Sequence, residues 1–216
     1  MGLSADLRQK HSTLWERMVS HPFVRELGDD TLPLEKFRLY FLQDYLFLKD
    51  FSVLLALGVA KAPDFEAARR LAAFLNTALQ GEEALFLRTF QEWGLSPEAY
   101  TRPQPLPTAL AYGDFIRRLA YEGPFAHILA LLLVSEWTYW DWATRLVRAG
   151  KAPRTPAYKN WIDIHASQEL GAFVGWLQTR LDALPPTPGL AEVFHTALRY
   201  EYLFWEMAYR GEQWPS

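Results

Sequence analysis

Ser135 and Glu136 place a hydroxyl and a carboxylate inside a segment that is otherwise apolar nearly all round, FAHILALLLVSEWTYWDWATRL. A buried carboxylate is costly unless a partner neutralises it or the protein uses it. Carboxylates in cavities act as general acids and bases, and a hydroxyl becomes a nucleophile only beside such a base. Either a partner satisfies Glu136 or the protein uses it in such chemistry, and we expect the helix to border a polar pocket in which His165 compensates the charge of Glu136.

Three further segments carry ionisable side chains on faces that are otherwise apolar. Asp44 lies in the middle of one such face, at the i, i+3, i+4, i+7 spacing of a helix. Glu201 lies in the middle of another, and His165 and Glu169 fall one turn apart on a third. Separate hydrogen bonds or ion pairs would satisfy each group individually. One shared polar pocket inside a helical bundle explains them together, and such pockets are usual sites for small ligands.

Aromatic side chains accompany these positions along the sequence and predict flat walls for a ligand. A planar heteroaromatic ring would stack on such walls, and carboxylates at its edge would accept hydrogen bonds from its amino groups. Ordinary core packing is the alternative explanation and must hold for most of them. The residues concerned are Tyr40, Phe41, Phe47, Tyr112, Trp137, Tyr139, Phe204 and Trp205.

The apolar periodicity predicts helices throughout the chain and no alternating strand pattern. Prolines and glycines mark the helix ends, and no linker is long enough to separate two domains. We expect an all-α, single-domain bundle of about seven helices over residues 1–216. The predicted helices cover about residues 4–20, 31–62, 64–93, 107–121 and 124–150, with a sixth starting at 155 and a seventh ending near 211.

The composition limits the classes of function. The 216 residues are 50% hydrophobic and 15% aromatic, with a formal net charge of −3 and no block of like charges. A nucleic-acid-binding protein normally shows a basic face, so we expect no nucleic-acid partner. The absence of cysteine excludes thiolate nucleophiles and cysteine zinc sites. Without a signal pattern or an apolar run that spans a bilayer, we expect no membrane partner and a cytoplasmic location.

Four segments resemble the TenA/thiaminase II (TENA/THI-4) family, in the same order and over nearly the whole chain. They are HPFVRELGDDTLPLEKFRLYFLQDYLFLKDF, AYGDFIRR, PAYKNWIDIHASQEL and RYEYLFWEMAY. The resemblance implies a heme-oxygenase-like helical fold that does not need heme, and we expect no cofactor. It also implies assembly into a homotetramer. The activity implied is that of a hydrolase of thiamin salvage, which converts aminopyrimidine breakdown products, or thiamin itself, to hydroxymethylpyrimidine.

The resemblance further implies roles for single residues. Asp44 is similar to the aspartate that holds the amino edge of the pyrimidine. Glu201 is similar to the catalytic glutamate, which exchanges protons with a ring nitrogen. Phe47 stands where many members have a tyrosine. The other substrate-binding residues implied are Tyr112, Tyr139, His165 and Phe204.

Two positions depart from the thiaminase branch of that family. Ser135 stands where the branch has its cysteine, and His165 where it has a tyrosine that orients the cysteine. The chain therefore resembles the branch that lacks the cysteine and relies on glutamates. This favours direct attack by water, with Glu201 as acid and base, Glu136 as an accessory and Ser135 as a poorer nucleophile.

Two other functions fit the sequence. Glu136, His165 and Glu169, with Glu82 or Glu83 as a fourth ligand, would be the ligand set of a heme-oxygenase-like, metal-dependent oxidase. That set is incomplete, so we expect no metal site. Alternatively, loss of the cysteine would leave a non-catalytic, pyrimidine-binding protein.

Overall fold

The computed structural model of the protein describes residues 2–185 and 187–215, which form helices and no strand. No helix in these ranges combines the length and the apolar character that crossing a bilayer requires. A π-helical turn, Ala78–Glu82, joins α5 to α6. The α-helices are α1 Leu3–Lys10, α2 Ser12–Val19, α3 Pro22–Gly28, α4 Leu34–Lys61, α5 Phe65–Thr77, α6 Glu83–Glu92, α7 Pro97–Thr101, α8 Pro107–Glu122, α9 Phe125–Arg148, α10 Pro156–His165, α11 Gln168–Asp182 and α12 Leu190–Arg210.

The prediction of an all-α fold is confirmed, but the described residues form more helices than the seven expected. The predicted helix over residues 4–20 is divided at His11, and the one over 64–93 is divided by the π-helical turn. The helix predicted from residue 155 is divided at residues 166–167. The short helices α3 and α7 occupy segments that were expected to be turns and connections.

The break between α10 and α11 overturns the prediction that His165 and Glu169 share one helix face. The helix α10 ends at His165, and the Ser167 hydroxyl accepts a hydrogen bond from the backbone N–H of Leu170 at 3.2 Å. Serine is a favoured first residue of a helix because its side chain satisfies a free backbone N–H group. As a result His165 is buried, whereas Glu169 is exposed in the first turn of α11.

The long helices α4 and α9 run through the core and carry much of the site. Helix α4 contacts α8 and α12, and α9 contacts α10, α11 and α12. Every side chain over residues 128–134 of α9 is completely buried. Burial contributes about 1.5–3 kcal/mol for each large aliphatic side chain. This apolar segment therefore fixes the next turn of α9, which carries Ser135 and Glu136.

Aromatic packing holds α3, α4, α9 and α12 together beneath the site. The Trp205 ring of α12 lies 4.7 Å from Phe23, 4.8 Å from Tyr40 and 5.5 Å from Tyr139, measured between ring centroids. Aromatic pairs of this kind contribute about 0.5–1.5 kcal/mol beyond the area they bury. The same cluster brings the hydroxyls of Tyr40 and Tyr139 to 2.9 Å from each other, so the core positions polar groups.

Candidate active site

A cavity of about 70 Å³ lies among the helices and is lined by every residue predicted from the sequence as catalytic or substrate-binding. Four of the predicted aromatic walls pack elsewhere and do not line it: Tyr40, Phe41, Trp137 and Trp205. This is space for about five to seven waters, or for one six-membered ring with short substituents. The roles of these residues stay predictions. The inner cavity is lined by Asp44, Phe47, Leu48, Phe51, Phe74, Glu82, Tyr112, Ser135, Glu136, Tyr139, His165, Glu201 and Phe204.

Two hydroxyl groups hold the carboxyl group of Glu201. Its Oε1 accepts hydrogen bonds from the Tyr112 hydroxyl at 2.6 Å and from Ser135 Oγ at 2.7 Å. Burial raises the pKa of Glu201 to about 7, although both hydrogen bonds act in the opposite direction. A carboxyl group with a pKa near neutrality can both take up and release a proton at pH 7. Glu201 is therefore equipped for acid–base chemistry.

Ser135 and Glu136 both line the inner cavity, although adjacent helical residues point about 100° apart. Ser135 is buried and reaches the carboxyl group of Glu201 on α12. Glu136 lies further along the cavity wall. Burial, followed by the charges of Glu82, Glu201 and Asp44, raises the pKa of Glu136 well above its ordinary value. The two residues therefore contribute a hydroxyl and a second carboxyl group to one space.

His165 does not neutralise Glu136, contrary to our expectation from the sequence. Its Nδ1 lies 2.8 Å from the carbonyl oxygen of Trp161, so Nδ1 carries a proton and donates it there. Burial lowers the pKa of His165 to about 4. The ring is therefore neutral at pH 7, and its other nitrogen is an acceptor.

Asp44 of α4 lines the inner cavity beside two linked tyrosines, Tyr40 and Tyr139. Its Oδ2 accepts a hydrogen bond from the Tyr40 hydroxyl at 3.1 Å. Burial, and then the charge of Glu82, raises the pKa of Asp44 well above its usual range. Within residues 2–185 and 187–215 no lysine or arginine pairs with Asp44, so it is an acceptor suited to anchor the amino group of a ligand.

Phe47 and Phe204 contribute ring faces to the apolar walls of the inner cavity. The centroid of the Phe47 ring lies 5.6 Å from that of Phe204 and 5.0 Å from that of Tyr112. These are separations at which aromatic rings contact each other. The cavity is thus bounded by ring faces as well as by carboxyl groups, which suits a flat, polar-edged ligand.

Glu82 also lines the inner cavity, although the sequence pattern indicated it only as a metal ligand. It is the last residue of the π-helical turn, and burial raises its pKa to about 7. Such turns are frequent at functional sites. The helical spacing indicates that Glu82 points inward, because it follows the buried Ala78 by four residues and precedes the buried Leu85 by three.

The ionisable side chains that line the inner cavity are mainly carboxyl groups. Asp44, Glu82, Glu136 and Glu201 all line it, and among the described residues no lysine or arginine does. Buried carboxylates without a cation are costly, so these groups hold protons or are neutralised by what binds there. A ligand that is cationic, or that donates several hydrogen bonds, therefore complements this cavity.

The ligand set of the metal-dependent oxidase is not assembled. Glu169 is exposed at the start of α11, and Glu83 accepts a hydrogen bond from the Tyr45 hydroxyl at 3.4 Å outside the inner cavity. Over residues 2–185 and 187–215, no three or more histidine, aspartate and glutamate side chains are grouped so as to hold a metal ion. The placement of the side chains gives that alternative no support.

Comparison with known proteins identifies the family. The TENA/THI-4/PQQC family model matches residues 8–211. An aminopyrimidine aminohydrolase of Halalkalibacterium halodurans is 31% identical over 220 residues, which cover 99% of this chain and 98% of that protein. A TenA homologue from P. horikoshii OT3 superimposes with a TM-score of 0.90 at 29% identity, over 98% of this chain and 100% of that one. The chain therefore belongs to the TENA/THI-4/PQQC family.

A more distant structure defines the fold class. A domain of unknown function from Shewanella denitrificans, described as having a heme oxygenase-like fold, matches with a TM-score of 0.76 at 16% identity. The match covers 96% of this chain and 92% of that one. At this identity the likeness shows the fold alone, and it confirms the prediction of a heme-oxygenase-like helical bundle.

We expect the buried Glu201 to make stability depend on pH. Because its pKa rises from 4.5 to about 7 on folding, the protein should lose stability as the pH rises through this interval. The loss should be on the order of 2–3 kcal/mol between about pH 5 and pH 8. The variant Glu201→Gln lacks this titration. Urea denaturation at pH 5 and pH 8 should measure this. The free energy of unfolding of Glu201→Gln, taken relative to wild type, should be about 2–3 kcal/mol higher at pH 8 than at pH 5.

Glu192→Gln is the matched control, because Glu192 is exposed on the same helix. Its free energy of unfolding should follow that of the wild type at both pH values. If the difference between Glu201→Gln and wild type did not change with pH, the assigned titration of Glu201 would be wrong.

Proposed function

We propose that the protein hydrolyses a C–N bond on the methylene arm of an aminopyrimidine, releasing hydroxymethylpyrimidine in thiamin salvage. The name of the Halalkalibacterium halodurans relative, aminopyrimidine aminohydrolase, supports this class of substrate. The observation that carries the proposal is the carboxyl group of Glu201. It is buried between the hydroxyls of Tyr112 and Ser135, in a ring-sized cavity that also contains Asp44.

The binding step uses the two kinds of wall in the cavity. The pyrimidine ring would stack against Phe204 and Phe47, and its exocyclic amino group would donate to the carboxylate of Asp44. Tyr139 closes the same end, because its hydroxyl contacts that of Tyr40, which in turn donates to Asp44. The ring is thereby oriented with its methylene arm towards the other carboxyl groups.

The chemical step needs one proton acceptor and one proton donor. The oxygen of a water molecule forms a bond to the methylene carbon, the C–N bond breaks, and the nitrogen leaves with the bonding electrons. A carboxylate accepts the proton of the water and a protonated carboxyl group donates to a nitrogen leaving from a neutral arm. Glu201 and Glu136 can divide these roles because both line the cavity and both have raised pKa values.

Ser135 has a positioning role in this proposal. Its only hydroxyl proton goes to Oε1 of Glu201, which fixes the orientation of that carboxyl group together with Tyr112. The same contact is the geometry of a nucleophile beside its base, so a covalent route through Ser135 is the competing mechanism. The two mechanisms differ in what removal of the Ser135 hydroxyl does to turnover.

A parallel product assay tests the proposed reaction. The purified protein is incubated separately with thiamin, with the aminomethyl-pyrimidine and with its formylamino counterpart, and products are identified by mass spectrometry. We expect hydroxymethylpyrimidine from one or both pyrimidines, and little from thiamin because the chain has no thiolate. If none of the compounds is converted but the pyrimidines bind, the protein is a pyrimidine-binding protein and the proposed activity is wrong.

Assembly into a homotetramer, implied by the resemblance to the family, is also part of the proposal. Phe65 and Tyr121 are large apolar side chains that are 82% and 67% exposed on the single chain, as residues at subunit contacts often are. Light scattering coupled to size exclusion should give the mass of four chains of 25.0 kDa. A mass equal to one chain would contradict the prediction.

A further inference from the structure

An outer pocket of about 470 Å³ adjoins the inner cavity. The two spaces share four lining residues, Phe74, Glu82, Glu136 and His165, which we call the neck. A substrate whose ring occupies the inner cavity has its leaving group in or near the neck, because the outer pocket is the adjoining space. The side chains of the neck are therefore placed to discriminate between leaving groups.

Among the residues that the structure describes, the neck has two carboxyl groups and no lysine or arginine, and Arg70 of the outer pocket lies outside it. His165 is neutral, since its pKa is lowered to about 4 by burial. Phe74 is held by stacking on Phe173, with the ring centroids 3.8 Å apart and the planes at 10°. The polar side chains that remain are the carboxyl groups of Glu82 and Glu136, which are close enough for the charge of Glu82 to raise the pKa of Glu136.

Glu82 reaches the neck from a different element than the residues that surround the ring. It ends the π-helical turn, whereas Asp44, Ser135 and Glu201 belong to α4, α9 and α12. Its neighbour Gly81 has no atom within 4 Å of the position where a side chain would begin, so the turn borders open space in the outer pocket. Glu82 thus approaches the inner cavity from its own element and lies where that cavity meets the outer pocket.

We propose that Glu82 is a specificity-determining residue that binds the positive charge of the leaving group, so that the site prefers a protonated amine to a neutral acylamino group. This inference rests on the proposed function. An alkylamine is protonated at pH 7, whereas an amide nitrogen is not. A carboxylate in a poorly solvated neck is stabilised by the ammonium group and gains little from the amide.

The test compares charge preference in wild type, Glu82→Gln and Glu82→Asp. For the aminomethyl-pyrimidine, kcat/KM of Glu82→Gln should fall about 30- to 100-fold, the loss expected for one charge-assisted contact. For the formylamino-pyrimidine it should change less than about threefold, since an uncharged arm loses no ion pair. Glu82→Asp keeps the charge and should retain a preference for the amine. Glu83→Gln, at the next position and outside both spaces, is the matched control and should behave as wild type.

Calorimetric binding of the same two compounds separates this inference from the proposed function. If the wild type binds the amine more tightly than the formylamino compound, and Glu82→Gln loses this preference, Glu82 is a charge-selecting residue even if no turnover is found. Equal losses for both compounds would indicate a structural role and overturn the inference. No preference in the wild type, or no effect of Glu82→Gln, would overturn it as well.

Discussion

Glu201→Gln should lower kcat for the aminomethyl-pyrimidine by about 10²- to 10⁴-fold, the range contributed by a positioned general acid or base. The amide keeps the size of the side chain and an oxygen that accepts from Tyr112 and Ser135, so the cavity should keep its shape. It cannot accept the proton of the attacking water. KM should therefore change little, and steady-state kinetics with detection of the product should show the loss in kcat.

The control for this variant is again Glu192→Gln on the same helix, which should retain the activity of the wild type. The pH profile adds a second readout. Because the pKa of Glu201 is about 7 in the free protein, kcat/KM of the wild type should change slope near that pH. A Glu201→Gln enzyme that retained more than about a tenth of the wild-type kcat would show that another group transfers the proton.

Asp44→Asn should weaken binding of the pyrimidine about 30- to 100-fold, with a smaller effect on kcat. The loss corresponds to the replacement of a charge-assisted hydrogen bond by a neutral one in a buried site. The amide also presents an N–H group where the ligand's amino group donates, and two donors cannot satisfy each other. Inhibition by hydroxymethylpyrimidine would measure this change as an increase in its inhibition constant.

Asp50→Asn is the matched control, since Asp50 lies on α4 but pairs with Arg117 outside the inner cavity. This variant should bind the pyrimidine as the wild type does. An Asp44→Asn protein with unchanged affinity would show that the amino edge of the ring lies elsewhere, and the proposed orientation would then be wrong.

The sequence predicted the fold class well because apolar periodicity is a local property. Helices α4, α8, α9 and α12 lie close to the predicted ranges, and each carries a stripe of buried residues at helical spacing. The inward position of Asp44 and Glu201 followed from the same stripes. A charged residue in the middle of an apolar face has few alternatives once the helix is formed.

The interruptions of the helices were not predicted, because their causes compete with a periodicity that continues across them. Ser167 starts a new helix by capping Leu170, which places Glu169 in solvent. The π-helical turn over residues 78–82 adds a residue to one turn and leaves the apolar spacing nearly intact. These two irregularities decided which glutamates reach the cavity, namely Glu82 and not Glu169.

The sequence also did not predict which side chains form hydrogen bonds between different helices. The contact of Glu201 with both Tyr112 and Ser135 depends on the rotation of α8, α9 and α12 about their own axes. The neutral state of His165 depends on one backbone carbonyl, that of Trp161, together with burial. Such contacts follow from three-dimensional packing, which a helical pattern along one chain does not specify.

In the proposed mechanism a carboxyl group, and not a side-chain nucleophile, drives C–N cleavage. The most direct measurement is the rate of hydroxymethylpyrimidine release by Ser135→Ala and Glu201→Gln, compared with wild type by mass spectrometry. We expect the rate of Ser135→Ala to stay within about tenfold of wild type, because it loses one hydrogen bond to Glu201, and Glu201→Gln to be nearly inactive. An inactive Ser135→Ala, with a covalent pyrimidine adduct at Ser135 in the wild type, would contradict it.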